Sequence, residues 1–370
     1  MTAAAGGKRP ATNLDNLTLS RKEGWHERVY APPRAKPDEL TLKQIRRLST
    51  TAADAYNVSR SQWHANIRLK TPQLEALHED LWDILNSNLH DGDKAKGAVA
   101  IDGYPGLGKT EAVLAFAAEY HRREIQRHGA VTRASDERWP VCRIGMRGNT
   151  SMKDFNHALC DFFAHPGRFH GSANQLLDRA RDLLLSCEVR LLIIDDLHFL
   201  HWQHNGGIEI SNHFKFIANE FPVTLLSIGV GLGERGVLLE GTTCEDTVLA
   251  QTTRRTTMLE MRPFDNDDER GCREWRRLMT ALEQRIVLSE KYPGMLTDEL
   301  SDYLFKRSTG HIGSLMTLIE RGCQRAIRSG TEALTQPLLD TIKIDSAAEQ
   351  ARRELGLAYR TRRLRTQRRS

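Results

Sequence analysis

Two stretches of the 370-residue chain combine residue types and spacing that can do phosphate chemistry. The run Gly103-Tyr104-Pro105-Gly106-Leu107-Gly108-Lys109-Thr110 fits G-x-x-x-x-G-K-[ST], with a short apolar strand expected at 97–101 and a helix expected after the loop. Glycines let successive backbone N–H groups converge on phosphate oxygens, and the helix N-terminus adds partial positive charge. In this reading Lys109 bridges the β- and γ-phosphates of a nucleoside triphosphate and Thr110 sets its hydroxyl on Mg²⁺, so ATP and Mg²⁺ are the expected cofactors. Glu111 lies in the first helical turn, where an acid suits the dipole; that structural role precedes a catalytic one.

The second stretch, Leu191-Leu192-Ile193-Ile194-Asp195-Asp196, reads as a buried strand ending in two carboxylates. Asp195 is expected to hold Mg²⁺, directly or through water, because that hard cation takes oxygen ligands. Asp196 is the candidate general base that polarises the attacking water.

Alternating strands and helices are needed to position both stretches. Apolar runs at 97–101, 140–146, 189–194, 223–229 and 256–261 read as strands, and helices are expected between them. Ser151 with Asp154 and Ser172 supply helix starts, and Thr71-Pro72 opens a helix carrying Leu74, Leu77, Leu81, Ile84 and Leu85. Such alternation implies parallel βαβ units. Beyond Pro263 only helical segments are expected, at 269–288, 297–307, 312–327 and 336–351. Before residue 50 the chain shows little periodicity and one short helix is expected near 40–48. The resulting division is a basic, largely flexible arm (1–58), a nucleotide-binding α/β domain with a helical lead (59–264), a helical lid (265–350) and an Arg-rich tail (351–370).

Mean hydropathy of −0.50 and the lack of any long apolar window exclude a membrane-spanning helix as an expectation. The first residues lack the apolar core of a secretory signal, and the cytoplasm is the expected compartment. Cys142, Cys160, Cys187, Cys244, Cys272 and Cys323 lie far apart without CxxC spacing, which suggests reduced thiols rather than zinc ligands or a disulfide framework. The net charge of +5 is unevenly placed. Residues 1–50 hold ten Lys/Arg against five Asp/Glu, residues 351–370 hold eight Arg against one Glu, and the body between is acidic. Basic ends suit a polyanion such as duplex DNA, and equally a solvated tail.

The run Leu192-Ile193-Ile194-Asp195-Asp196-Leu197-His198, with Ser227-Ile228-Gly229-Val230-Gly231 and Gln251-Thr252-Thr253-Arg254-Arg255, resembles TniB/TnsC-type AAA+ ATPases, most closely the actinobacterial TniB-like proteins found with Mu-type transposases. The resemblance extends over about 59–353, taking in Trp63-His64-Ala65-Asn66 and Ser308-Thr309-Gly310-His311-Ile312-Gly313-Ser314-Leu315. It implies a P-loop α/β fold with a parallel sheet of order 5-1-4-3-2 and a C-terminal all-helical lid. It also implies a homo-oligomer, ring or filament, with ATP between subunits, that binds target DNA and recruits a transposase or integrase. The matching arginine finger is Arg255, with Arg254 a close rival. The place of a small polar sensor is taken by Val230, leaving Ser227 or the 229–231 backbone to act there, and no lid arginine is assigned where Gly313 and Ser314 stand. Relatives carry glutamate where Asp196 stands; one methylene fewer predicts slow hydrolysis. His198, and the loop 201–207 with Lys215, fit either DNA contact or a structural role. Two other readings share these motifs: a signalling or defence ATPase with protein partners only, and a helicase-loader or origin-licensing ATPase.

Overall fold

The chain is described by a computed structural model covering residues 18–90, 96–146, 150–196, 216–217, 220–232 and 256–350. The apolar runs become β1 (Ala98–Asp102), β2 (Val141–Gly145), β3 (Leu191–Asp195), β4 (Thr224–Ile228) and β5 (Thr256–Glu260). Helices among the described residues include α1 (Lys22–Tyr30), α2 (Leu42–Ile45), α3 (Thr50–Ala65), α4 (Pro72–His90), α5 (Lys109–His128), α6 (Met152–Phe162), α7 (Ala173–Ser186), α8 (Glu269–Arg285), α9 (Ser301–Ser308), α10 (Ile312–Ser329) and α11 (Gln336–Asp340). Two compact units result. One takes the described parts of Met1–Ala31, Leu85–Ile101 and Val113–Met258; the other takes those of Pro32–Ile84, Asp102–Ala112 and Leu259–Ser370.

The first unit is built on the five-stranded sheet, in the order β2-β3-β4-β1-β5 that the resemblance implies. Strands β2, β3, β4 and β1 pair in parallel. Such strands are covered on both faces and need apolar residues at successive positions; all five residues of β3 are buried. Register fixes the edge that matters. Ile101 pairs with Ile228, and Ser227 pairs with Ile194, so Asp195 ends level with Ile101 with β4 between them. Two strand spacings separate their backbones by about 10 Å.

One helix here was not expected. Residues 22–30, read from the sequence as part of an arm, form α1, whose Trp25 and Val29 are fully buried. The Trp25 indole N–H donates to His121 Nδ1 at 3.1 Å, and Arg21 pairs with Asp161 at 2.8 Å. A single apolar pair within a charged stretch gives too weak a periodicity to announce a helix. Capping boxes open α6, through Ser151 and Asp154, and α7, through Ser172 and Gln175.

The second unit has a core of Trp275, Met279, Leu282, Met295, Leu304, Leu315 and Ile319 with their neighbours, reached also by Ile67 after α3. Helix α3 is pinned to the helices beyond residue 263. Arg60 meets Glu332 at 2.6 Å with both side chains buried, and His64 Nε2 accepts from the Val287 N–H at 3.0 Å. The helix expected at 297–307 is two pieces, a π-helical turn Met295–Glu299 and then α9. The cause is the Glu283 carboxylate, which takes the N–H groups of Gly294, Leu296 and Thr297 and starts the segment early. The helix expected at 336–351 stops at Asp340, where the Arg307 guanidinium donates to the carbonyls of Leu339 and Ile342. Among the described residues no helix is long and apolar enough to cross a membrane.

Candidate functional site

The loop after β1 owes its path to three glycines in backbone conformations that L side chains rarely adopt, Gly103 at φ +148, Gly106 at φ +80 and Gly108 at φ +81. A Cβ on Gly103 would stand 2.4 Å from the Met261 carbonyl oxygen. Between the glycines Leu107 is buried, whereas Tyr104 is 66% exposed and Pro105 is exposed, so the loop is anchored by one side chain and open on its outer side. Lys109 opens α5 and is buried; its ammonium donates to the carbonyls of Gly103 at 2.5 Å and Tyr104 at 2.8 Å. That grip curls the loop over its own lysine and places the charge inside the concave backbone. Thr110 follows in the first turn, and Glu111 is exposed and paired with Arg68 at 3.1 Å.

The same unit brings the start of α10 onto the loop. The Gly313 N–H donates to the Gly106 carbonyl at 2.8 Å. A Cβ on Gly313 would lie 2.7 Å from that oxygen, and Ile312 Cγ2 lies 3.4 Å from where a Gly108 Cβ would be. Ser314 is turned to Asp345, donating its hydroxyl at 2.6 Å. The start of α10 thus meets the loop through backbone at Gly313.

In the sheet unit Asp195 is 3% exposed at the C-terminal end of β3. Its Oδ2 accepts from Arg143 Nη2 at 2.7 Å, its Oδ1 accepts from the Asp196 N–H at 3.1 Å, and its carbonyl accepts from the Met146 N–H at 2.9 Å. Asp196 holds φ at +61, a left-handed conformation for a residue with a side chain. Such backbones cost about 1 kcal/mol or more and gather at functional sites. Ser227 stands half-buried on β4, paired in register with Ala100 and Ile194, hence one residue short of the level of Asp195. Arg254, Arg255, Gln251, His198, the loop 201–207, Lys215 and Cys244 lie outside the described residues. The other five cysteines are free thiols, four of them buried.

Reasoning from sequence missed Arg143 and Arg68. The signal for Arg143 was a lone cation inside the apolar strand Val141–Gly145. Such a residue requires an acidic partner, because an unpaired buried charge is too costly to keep.

The donor chemistry fits Mg²⁺. Asp195 and Thr110 offer oxygen only, and among the described residues no cluster of three His, Cys, Asp or Glu side chains could form a full protein cage for a metal. A Mg²⁺ ion that keeps its waters and takes one or two protein oxygens plus phosphate needs no such cage. The glycine-shaped loop likewise fits a phosphate chain.

Residues 91–237 match the family model described as AAA domain. No curated protein matches the chain. Among solved structures, the Aeropyrum pernix ORC1 protein in complex with DNA is similar over 80% of this chain and 69% of that one, with a TM-score of 0.55 at 16% identity. The Aeropyrum pernix ORC2 protein, in ADPNP–ADP complexes, gives 0.54 at 13% identity over 75% and 69%. Cdc6p from Pyrobaculum aerophilum gives 0.54 at 13% identity over 74% and 68%. At these identities the likeness is one of fold. Sheet order, loop and the model matched over residues 91–237 together give this chain a P-loop domain of the AAA type, a kind that uses ATP with Mg²⁺.

Proposed function

We propose that the chain is an ATP-controlled switch that acts on duplex DNA as a homo-oligomer. The observation that supports the nucleotide part is the path of 103–108, bent by three glycines at positive φ around the Lys109 ammonium, which donates to the Gly103 and Tyr104 carbonyls. In this reading the amides of 103–108 enclose the phosphates and Lys109 leaves the loop carbonyls to bridge the β- and γ-phosphates. Thr110 and Asp195 would each offer an oxygen to Mg²⁺, which would supply neutralisation of charge on the phosphates. Asp196 accepts a proton from the attacking water, and Ser227 senses the terminal phosphate. Arg255 or Arg254 of a neighbouring subunit stabilises the charge of the transition state.

The finer reading is regulation of DNA transposition, in which the ATP-bound oligomer, ring or filament, marks target DNA and recruits a transposase or integrase. It is supported by the motif resemblance and by basic ends flanking an acidic body. A second reading, an origin-licensing type of ATPase, is favoured by the fold likeness to the Aeropyrum pernix ORC1 protein. Assembly on linear duplex DNA, followed by electron microscopy with ATP, ADP and no nucleotide, tests the shared core of both. ATP-dependent rings or filaments are expected; equal DNA binding in all three states contradicts the switch. Stimulation of a transposase encoded beside this chain separates the two readings.

A further inference from the structure

A cation inside a buried strand has to be matched. Arg143 sits in the middle of β2, its side chain 15% exposed, and its register partner on β3 is the apolar Ile193. Two residues on, Gly145 pairs with Asp195. Residues two apart in a strand share a face, so Arg143 and Asp195 are diagonal neighbours on one face of the sheet. The guanidinium reaches the carboxylate by lying along Gly145, where a Cβ would be only 3.8 Å and 3.9 Å from its two terminal nitrogens. Nη2 then donates to Asp195 Oδ2 at 2.7 Å, while Nη1 donates to Ser20 Oγ at 3.4 Å, just ahead of α1.

We infer that Arg143 is a positioning residue that competes with Mg²⁺ for Asp195 and sets the metal concentration at which the site loads. The inference rests on the reading of Asp195 as the metal carboxylate. An ion bound by Asp195 shares that carboxylate with a fixed positive charge a few ångströms away, and like charges at that range repel strongly where water is scarce. The Asp196 N–H takes one lone pair of Oδ1, and Oδ2 is shared with the guanidinium, so an ion that draws on the carboxylate competes with Arg143 for its charge. The bond that Nη1 already makes to Ser20 links metal loading to the segment that leads into α1.

The experiment uses the full chain carrying a non-hydrolysable ATP analogue and reads bound Mn²⁺ by electron paramagnetic resonance. Arg143→Gln is expected to half-saturate at about tenfold lower free Mn²⁺ than wild type, the lower end of what partners of metal ligands control. Arg143→Lys keeps the charge without the planar fork and shifts the midpoint less, in the same direction; it carries the test if the glutamine variant does not fold. An unchanged or raised midpoint in the variants overturns the role of Arg143. If wild type and Asp195→Asn bind Mn²⁺ alike, the reading of Asp195 itself fails, and Arg143 falls with it.

Discussion

The Gly313 N–H donates to the Gly106 carbonyl at 2.8 Å, so the first turn of an 18-residue helix is fastened by backbone to the loop that would enclose phosphate. A change of loop conformation therefore alters a hydrogen bond at the end of α10. Gly313→Ala places a Cβ 2.7 Å from the Gly106 oxygen. That overlap is with backbone, which has to shift, and it outweighs the about 1 kcal/mol by which alanine favours a helix over glycine, so the thermal midpoint is expected to fall. Nucleotide affinity is expected to fall by about tenfold, a loss of about 1.4 kcal/mol; calorimetry on variant and wild type checks both halves.

The strained Asp196 gives a second prediction. Asp196→Asn keeps the size and tolerates a left-handed backbone, so ATP binding persists while hydrolysis drops by about 100-fold or more, as expected on loss of a general base. Phosphate release measured beside nucleotide binding decides it; equal turnover in variant and wild type removes Asp196 from the base role.

Two buried histidines make stability depend on pH. Burial, with Arg60 and Lys291 nearby, pushes His64 down from 6.5 to about 4, and burial, with His26 and Arg122 nearby, does the same to His121. His64 accepts from the Val287 N–H, and His121 accepts from the Trp25 indole. Both folded values lie below the unfolded one, so the unfolded chain takes up protons first as pH falls below 6.5. Stability is complete above that pH and is lost between 6.5 and 4, by at most about 3 kcal/mol per histidine. Urea unfolding at pH 7.5 and pH 4.5 is expected to show the loss, and His121→Gln is expected to reduce it.

The buried pair Arg60–Glu332 predicts a sharp asymmetry between single and double variants. Glu332 also accepts from the Ser289 N–H at 3.1 Å, and Arg60 donates to Asn57 at 2.6 Å. Glu332→Gln leaves a buried cation and is expected to cost about 3–5 kcal/mol, whereas Arg60→Met with Glu332→Gln recovers much of that. Chemical denaturation of the three chains checks the order.

If the Arg-rich end contacts DNA, deleting residues 351–370 reduces the slope of log affinity against log salt, because each Lys or Arg on a phosphate releases counterions. Binding measured at several salt concentrations gives the slope; no change removes that segment from the DNA-binding account.

Local rules made the loop and the acidic strand end readable in advance. Gly103, Gly106 and Gly108 are demanded by backbone angles that few other residues accept, and β3 is a continuous apolar run because both its faces are covered. The sheet order was readable only through the family resemblance. Arg143 and Asp195 are 52 positions apart, and Arg60 and Glu332 are 272 apart. A charged residue states that it needs a partner without saying which, and only the register of β2 on β3, or the docking of α3, supplies the answer. The split near Met295 was hidden for the same reason, since Glu283 reaches its N–H groups from the preceding helix.

The account stands on Lys109 and the loop amides binding the triphosphate. Isothermal titration of Mg²⁺·ATP into the full chain and into Lys109→Ala tests this most directly. Saturable binding by wild type, abolished in a folded Lys109→Ala, is the predicted result; no binding by wild type, or equal binding by both, contradicts it.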